Sequence, residues 1–101
     1  RLAGEVWERL ALPGAFPEDK VILQAGYAGE AYGLPTDAMA EAVRRCARLE
    51  GLLLDPVYSG KAMAGLIGLV EAGEFSADDT VVFLHTGGMP ALFPYREALE
   101  G

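Results

Sequence analysis

Two short runs concentrate the residues able to do chemistry. Leu53-Leu54-Asp55-Pro56-Val57-Tyr58-Ser59-Gly60-Lys61 sets a phenol, an alcohol and an ammonium where a short extended segment gives way to a helix. His85-Thr86-Gly87-Gly88 sets an imidazole, an alcohol and two glycines where an apolar run ends. Turns of this kind in an α/β chain face one crevice, and ligands bind there. Gly87 and Gly88 let the backbone come close to a ligand, and the helix start that follows offers free N–H groups to an anion. The same residues also suit a tight strand-to-helix turn with positive φ. Ser59 fits a helix N-cap as well as it fits a crevice wall. His85 has no second histidine, cysteine pair or carboxylate at ligand spacing, which argues against a metal site and for a supporting role rather than that of general base. Lys61 would need a desolvated pocket to serve as a Schiff-base lysine; a snorkelled or paired lysine is the simpler reading. Tyr27 and Tyr32 lie in a glycine-rich loop, where they could form a binding wall or pack the loop.

The elements that must position these groups follow from periodicity. Residues 2–11 repeat apolar side chains at helical spacing, and Pro13-Gly14 ends the pattern. Val21-Ile22-Leu23-Gln24 reads as a strand, followed by a long loop over Gly26–Pro35. Thr36 is a good N-cap for a helix reaching about Glu50, apolar at 38, 39, 42, 43, 46 and 49, with Gly51 to close it. Leu52–Leu54 is a short strand or extended segment. Residues 59–72 form a helix without a charge from Ala62 to Val70, which calls for protein on all sides; Ala64, Gly65 and Gly68 would let a neighbouring backbone approach. Thr80–His85 is apolar through its centre, as in a parallel strand covered on both faces. Pro90 suits the first turn of a final helix through Leu92, before Pro94 interrupts it. The expected fold is α/β, a partial parallel sheet with flanking helices.

One hundred and one residues make at most one domain. A net charge of −7 argues against nucleic acid and anionic membrane as partners. The single Cys46 cannot form an internal disulfide and fits a reducing compartment, as a small core filler rather than a reactive thiol. No run approaches the about 20 apolar residues of a membrane span. The chain starts at Arg1 directly on a helical pattern, so we expect a piece of a longer polypeptide.

Leu54-Asp55-Pro56-Val57-Tyr58-Ser59-Gly60-Lys61-Ala62-Met63, with His85-Thr86-Gly87-Gly88 and Pro90-Ala91-Leu92-Phe93, resembles the C-terminal part of the D-cysteine desulfhydrase and 1-aminocyclopropane-1-carboxylate deaminase family. Tyr32-Gly33-Leu34-Pro35-Thr36, Ala42-Val43 and Leu49-Glu50-Gly51 extend the resemblance to roughly residues 20–95. It implies a fold-type II, tryptophan synthase β-like enzyme using pyridoxal 5′-phosphate, with residues 1–101 a C-terminal fragment of its larger cofactor-binding domain. Tyr58 and Tyr32 match the tyrosines that approach cofactor and substrate. Ser59 and Thr86 match the positions flanking the pyridine ring near its nitrogen, and Gly87 the glycine beside the second. The Schiff-base lysine and the phosphate-cradling loop of the family match nothing in this chain; Lys61 belongs to the tyrosine motif. The chain alone is therefore expected to be inactive. Its implied partners are an amino-acid substrate, the remainder of the parent chain and a second copy in a cytoplasmic homodimer.

In the deaminase branch the position of Ser59 is a glutamate and that of Thr86 a leucine, so the two alcohols resemble the desulfhydrase branch. A carboxylate at the ring nitrogen favours the pyridinium, the stronger electron sink; an alcohol gives only a hydrogen bond. Elimination of sulfide needs less carbanion stabilisation than cleavage of a cyclopropane. The first reading is accordingly β-elimination from D-cysteine to pyruvate, ammonia and sulfide. The alternatives are the deaminase, an L-cysteate sulfo-lyase and, in another class, a non-catalytic α/β module binding anions at His85–Gly88.

Overall fold

In the computed structural model, which describes residues 1–100, the longest helix is capped by Thr36. The Thr36 hydroxyl accepts a hydrogen bond from the Met39 N–H at 3.1 Å, meeting one of the helix's four orphan donors. The helix that follows, α2, covers Asp37–Glu50; α1 covers Leu2–Arg9, α3 Ser59–Glu71 and α4 Arg96–Glu100. Gly51 closes α2 in the left-handed region, φ +65°, where a side chain would be strained. Short 3₁₀ turns lie at Glu18–Lys20 and Met89–Leu92, the second with Pro90 in its first turn.

The core lies between α2 and α3. Met39, Ala40 and Val43 of α2 meet Leu54 in a buried cluster, against which Cys46, Met63, Phe83, Leu92 and Leu99 pack. Full burial of a side chain the size of Met39 contributes about 1.5–3 kcal/mol. The start of α3 rests on α2 so closely that a Cβ on Gly60 would lie 2.8 Å from Val43 Cγ2. Arg44 Nη1 of α2 donates to the Leu99 carbonyl of α4 at 3.4 Å. Cys46 is half-buried in this cluster; burial raises its thiol pKa against a smaller opposing pull from Arg45, in keeping with a core filler.

The expected partial sheet is not formed. Among the described residues no segment pairs as a strand: Val21–Gln24, Leu52–Leu54 and Thr80–His85 run without ladder partners. A parallel strand is held by neighbours on both edges and by cover on both faces. Here no edge is paired and cover is partial: Leu54 and Phe83 reach the core, while Leu23 and Val82 stand 89% and 86% exposed. The helix α1 likewise buries none of its residues, although Trp7 meets Phe16 edge-on at 5.9 Å and its Nε1 donates to the Gly14 carbonyl at 3.1 Å. The radius of gyration, 15.8 Å, exceeds the about 13 Å of a compact domain of this length. The stretch of α3 without charge, Ala62–Val70, is covered on one face only: Ala64 and Gly65 are buried, while Leu66–Leu69 are half-exposed. Gly65 and Gly68 admit an aromatic ring rather than a neighbouring backbone. A Cβ on Gly65 would lie 3.2 Å from Tyr27 Cδ2, and one on Gly68 2.1 Å from the Tyr27 hydroxyl.

Candidate active site

The turn leading into α3 is organised by Asp55. Its carboxylate is 2% exposed. Oδ2 accepts from the Val57 N–H at 2.8 Å and the Tyr58 N–H at 2.7 Å. Oδ1 accepts from the Ser59 N–H at 2.8 Å and the Ser59 hydroxyl at 2.6 Å. Burial raises the carboxyl pKa, but the hydrogen bond from the Ser59 hydroxyl and the three from backbone N–H groups outweigh it and hold the group below its ordinary value. The expected N-cap role of Ser59 thus passes to Asp55. Tyr58 is the N-cap residue by backbone position and has no side-chain cap. The Ser59 hydroxyl, 3% exposed, also accepts from the Asp55 N–H at 2.8 Å.

This turn leaves the Tyr58 ring standing outward. Its hydroxyl donates to the Tyr32 hydroxyl at 3.1 Å, and the two rings meet tilted, with centroids 5.9 Å apart. Two tyrosines 26 positions apart, both of which the resemblance implies approach cofactor and substrate, are thus brought together. The hydrogen bond to Tyr32 leads the causes that raise the Tyr58 pKa, followed by burial and the nearby Tyr32 and Asp55 charges. Tyr58 therefore keeps its proton through the neutral range. The pair borders a groove of about 660 Å³ lined by Ala28–Gly33, Val57, Tyr58, Lys61 and Ala62. That volume lies within the span of small-molecule sites.

The second turn meets the first from behind. A Cβ on Gly88 would lie 2.8 Å from Asp55 Cβ, so the close approach requires glycine there. His85 lies 2.8 Å from the Leu53 carbonyl through Nε2, and its Nδ1 accepts from the Gly87 N–H at 3.1 Å. Both bonds are met at once by the neutral tautomer with its proton on Nε2. His85 therefore fixes the turn, as its lack of ligand partners suggests. Thr86 is exposed and Gly87 half-exposed; neither they nor Ser59 line the tyrosine groove. Sequence reasoning missed Asp55. Its signal was an aspartate four residues before a serine at a helix start, a pattern suited to an Asx-type turn.

Comparison with known proteins adds a decisive observation. Residues 6–87 match the family model described as pyridoxal-phosphate dependent enzyme. The chain belongs to this family. It is 47% identical over 97 residues to a 1-aminocyclopropane-1-carboxylate deaminase of Burkholderia vietnamiensis and 48% identical over 97 residues to one of Burkholderia ambifaria. In both cases 96% of the chain and 29% of the relative are covered. A deaminase of the same description from Burkholderia lata matches at 47% over 100 residues, 99% of the chain. The chain thus spans less than a third of the length of these relatives.

Of the residues that the resemblance assigns to the cofactor side, Tyr32 and Tyr58 line the groove, whereas Ser59, Thr86 and Gly87 do not. Two phenols border a groove of suitable size, and the turn behind them is rigidly bonded. Of the two lysines, Lys20 is exposed in the 3₁₀ turn and Lys61 is buried with its Nζ on the Ala28 carbonyl, so neither faces the groove as a free amine. Among the described residues no helix is long and apolar enough to cross a membrane.

Proposed function

We propose that the protein carrying this chain is a pyridoxal-phosphate-dependent enzyme acting on a small amino acid, and that residues 1–101 form the part of its cofactor-binding domain bearing the wall beside the pyridine ring. Tyr58 and Tyr32 would touch the substrate there; Ser59, Thr86 and Gly87 lie outside the tyrosine groove, and their place at the ring edge rests on the family resemblance alone. The observation that carries the reading is the hydroxyl pair of Tyr32 and Tyr58 on a ligand-sized groove, in a chain of this family. When bound, pyridoxal phosphate supplies an electron sink for the carbon bearing the amino group. Tyr58 holds its proton in the hydrogen bond to Tyr32 and is suited to positioning rather than to the role of base; Tyr32, whose oxygen accepts that bond, has its own O–H left to donate to a ligand.

The substrate put first is 1-aminocyclopropane-1-carboxylate, opened to 2-oxobutanoate and ammonia. Identity of 47–48% with deaminases so described supports it. A second reading is β-elimination from D-cysteine, favoured by the alcohols at Ser59 and Thr86, with L-cysteate as a related substrate. Because the Ser59 hydroxyl is given to Asp55, that reading rests on residue types and not on a shared cavity. Family membership argues against a free-standing anion-binding module. A cytoplasmic homodimer completes the proposal. The test is to express the full-length product of the gene with pyridoxal phosphate and to supply each amino acid in turn. Release of 2-oxobutanoate from the cyclopropane supports the first reading. Pyruvate with sulfide from D-cysteine supports the second, and no product from any of the three contradicts both.

A further inference from the structure

Tyr32 is 78% exposed, so packing does not hold it against Tyr58; its place depends on the backbone of the Gly26–Pro35 loop. That loop has few bonds of its own, among them Ala28 N–H to Ala25 O at 3.5 Å and Leu34 N–H to Ala31 O at 3.3 Å. The anchors come from outside. Tyr95 donates its hydroxyl proton to the Gly33 carbonyl, and Lys61 donates from Nζ to the Ala28 carbonyl. Lys61 is only 8% exposed, yet forms no ion pair among the described residues. A buried cation is ordinarily held by an opposite charge or by several hydrogen bonds. Here the ammonium is given to one loop carbonyl and sits beside the Gly29 turn, where a Cβ would lie 3.3 Å from Nζ. Lys61 also stands three residues after Tyr58, on the same side of the α3 start. Across the groove, Ala28 and Tyr32 stand four residues apart. The first turn of α3 therefore grips the loop at two points, by Lys61 on Ala28 and by Tyr58 on Tyr32.

We propose that Lys61 is a positioning residue whose buried ammonium pins the Gly26–Pro35 loop through the Ala28 carbonyl and thereby sets the Tyr32–Tyr58 hydroxyl pair. The catalytic meaning of that pair rests on the function proposed above, but the clasp itself does not. The experiment is amide hydrogen exchange on the full-length protein, for wild type, Lys61→Met and Lys61→Gln. A hydrogen bond from a charged donor is worth about a tenfold change in a local opening equilibrium. Exchange at the hydrogen-bonded loop amides of Ala28 and Leu34 should therefore rise about tenfold in Lys61→Met, and by less in Lys61→Gln, which keeps a donor, with α2 unchanged. Ultraviolet titration of phenolate absorbance, as the difference from Tyr58→Phe, should show Tyr58 returning toward the ordinary tyrosine range in Lys61→Met. A role confined to general stability would not move that spectrum. Loop exchange unchanged in both variants overturns the proposal. So does loss of α2 protection together with the loop, which would make Lys61 a core residue rather than a clasp. Loosened loop exchange in a protein that turns over none of the three amino acids would uphold the clasp and defeat the function proposed above.

Discussion

Replacing Asp55 by alanine removes four hydrogen bonds at once: those from the N–H groups of Val57, Tyr58 and Ser59 and that from the Ser59 hydroxyl. The cost depends on which donors can turn to water. Tyr58 is exposed and Val57 half-buried, so their N–H groups can be rehydrated, whereas Ser59 is buried. An unsatisfied buried group costs about 1–3 kcal/mol and loss of a cap about 1, so Asp55→Ala should destabilise the turn by about 2–4 kcal/mol. Asp55→Asn keeps one accepting oxygen and turns an N–H₂ toward other donors, which should cost about half as much. The readout is amide exchange over residues 55–60 of the full-length protein. A cost of this size corresponds to about 30- to 700-fold faster exchange in the alanine variant. Exchange within about threefold of wild type would refute the assignment of Asp55 as organiser of the turn.

Gly88→Ala must place a Cβ 2.8 Å from Asp55 Cβ at φ +92°, and should cost about 1–3 kcal/mol; Gly87→Ala, at φ +103° with nothing within 4 Å, bears only the backbone strain, so thermal denaturation should rank Gly88→Ala as the more damaging. Gly68→Ala puts its methyl into the Tyr27 hydroxyl and should cost about 1–3 kcal/mol, part of it recovered when Tyr27→Ala is added, as a double-mutant cycle by thermal denaturation would register. The depressed Asp55 pKa makes its stabilisation fully present above the unfolded aspartate value of about 3.9 and lost as pH falls through the folded value, so exchange in the α3 turn should accelerate selectively at acid pH and much less in Asp55→Asn.

Local chemistry was legible where the cause lies within one element. Thr36 and Gly51 bound α2 as their cap chemistry requires, and α3 starts at Ser59 as its pattern indicates. The Tyr32–Tyr58 pair was also readable, through the family resemblance of its two motifs. What failed is non-local. Val21–Gln24 and Thr80–His85 have strand composition, but a strand is defined by its ladder, and among the described residues nothing pairs with them. Asp55 was passed over because an aspartate before proline reads as a turn residue, and its four bonds appear only once the backbone folds back over it. The resemblance puts Ser59 at the ring edge and its type suits an N-cap, and neither reveals that its hydroxyl is directed to Asp55. Lys61 reads as a snorkelling side chain until the loop carbonyl at Ala28 is placed over it.

The proposed function places the phenols of Tyr32 and Tyr58 beside the cofactor. The direct measurement is the visible absorption of pyridoxal phosphate bound to the full-length protein, with turnover of 1-aminocyclopropane-1-carboxylate and D-cysteine, in wild type, Tyr32→Phe and Tyr58→Phe. The account predicts a bound chromophore whose band shifts in both variants, with turnover lowered about 10- to 100-fold or more. A protein that binds no pyridoxal phosphate, or whose band and turnover are the same with phenylalanine at both positions, would contradict it.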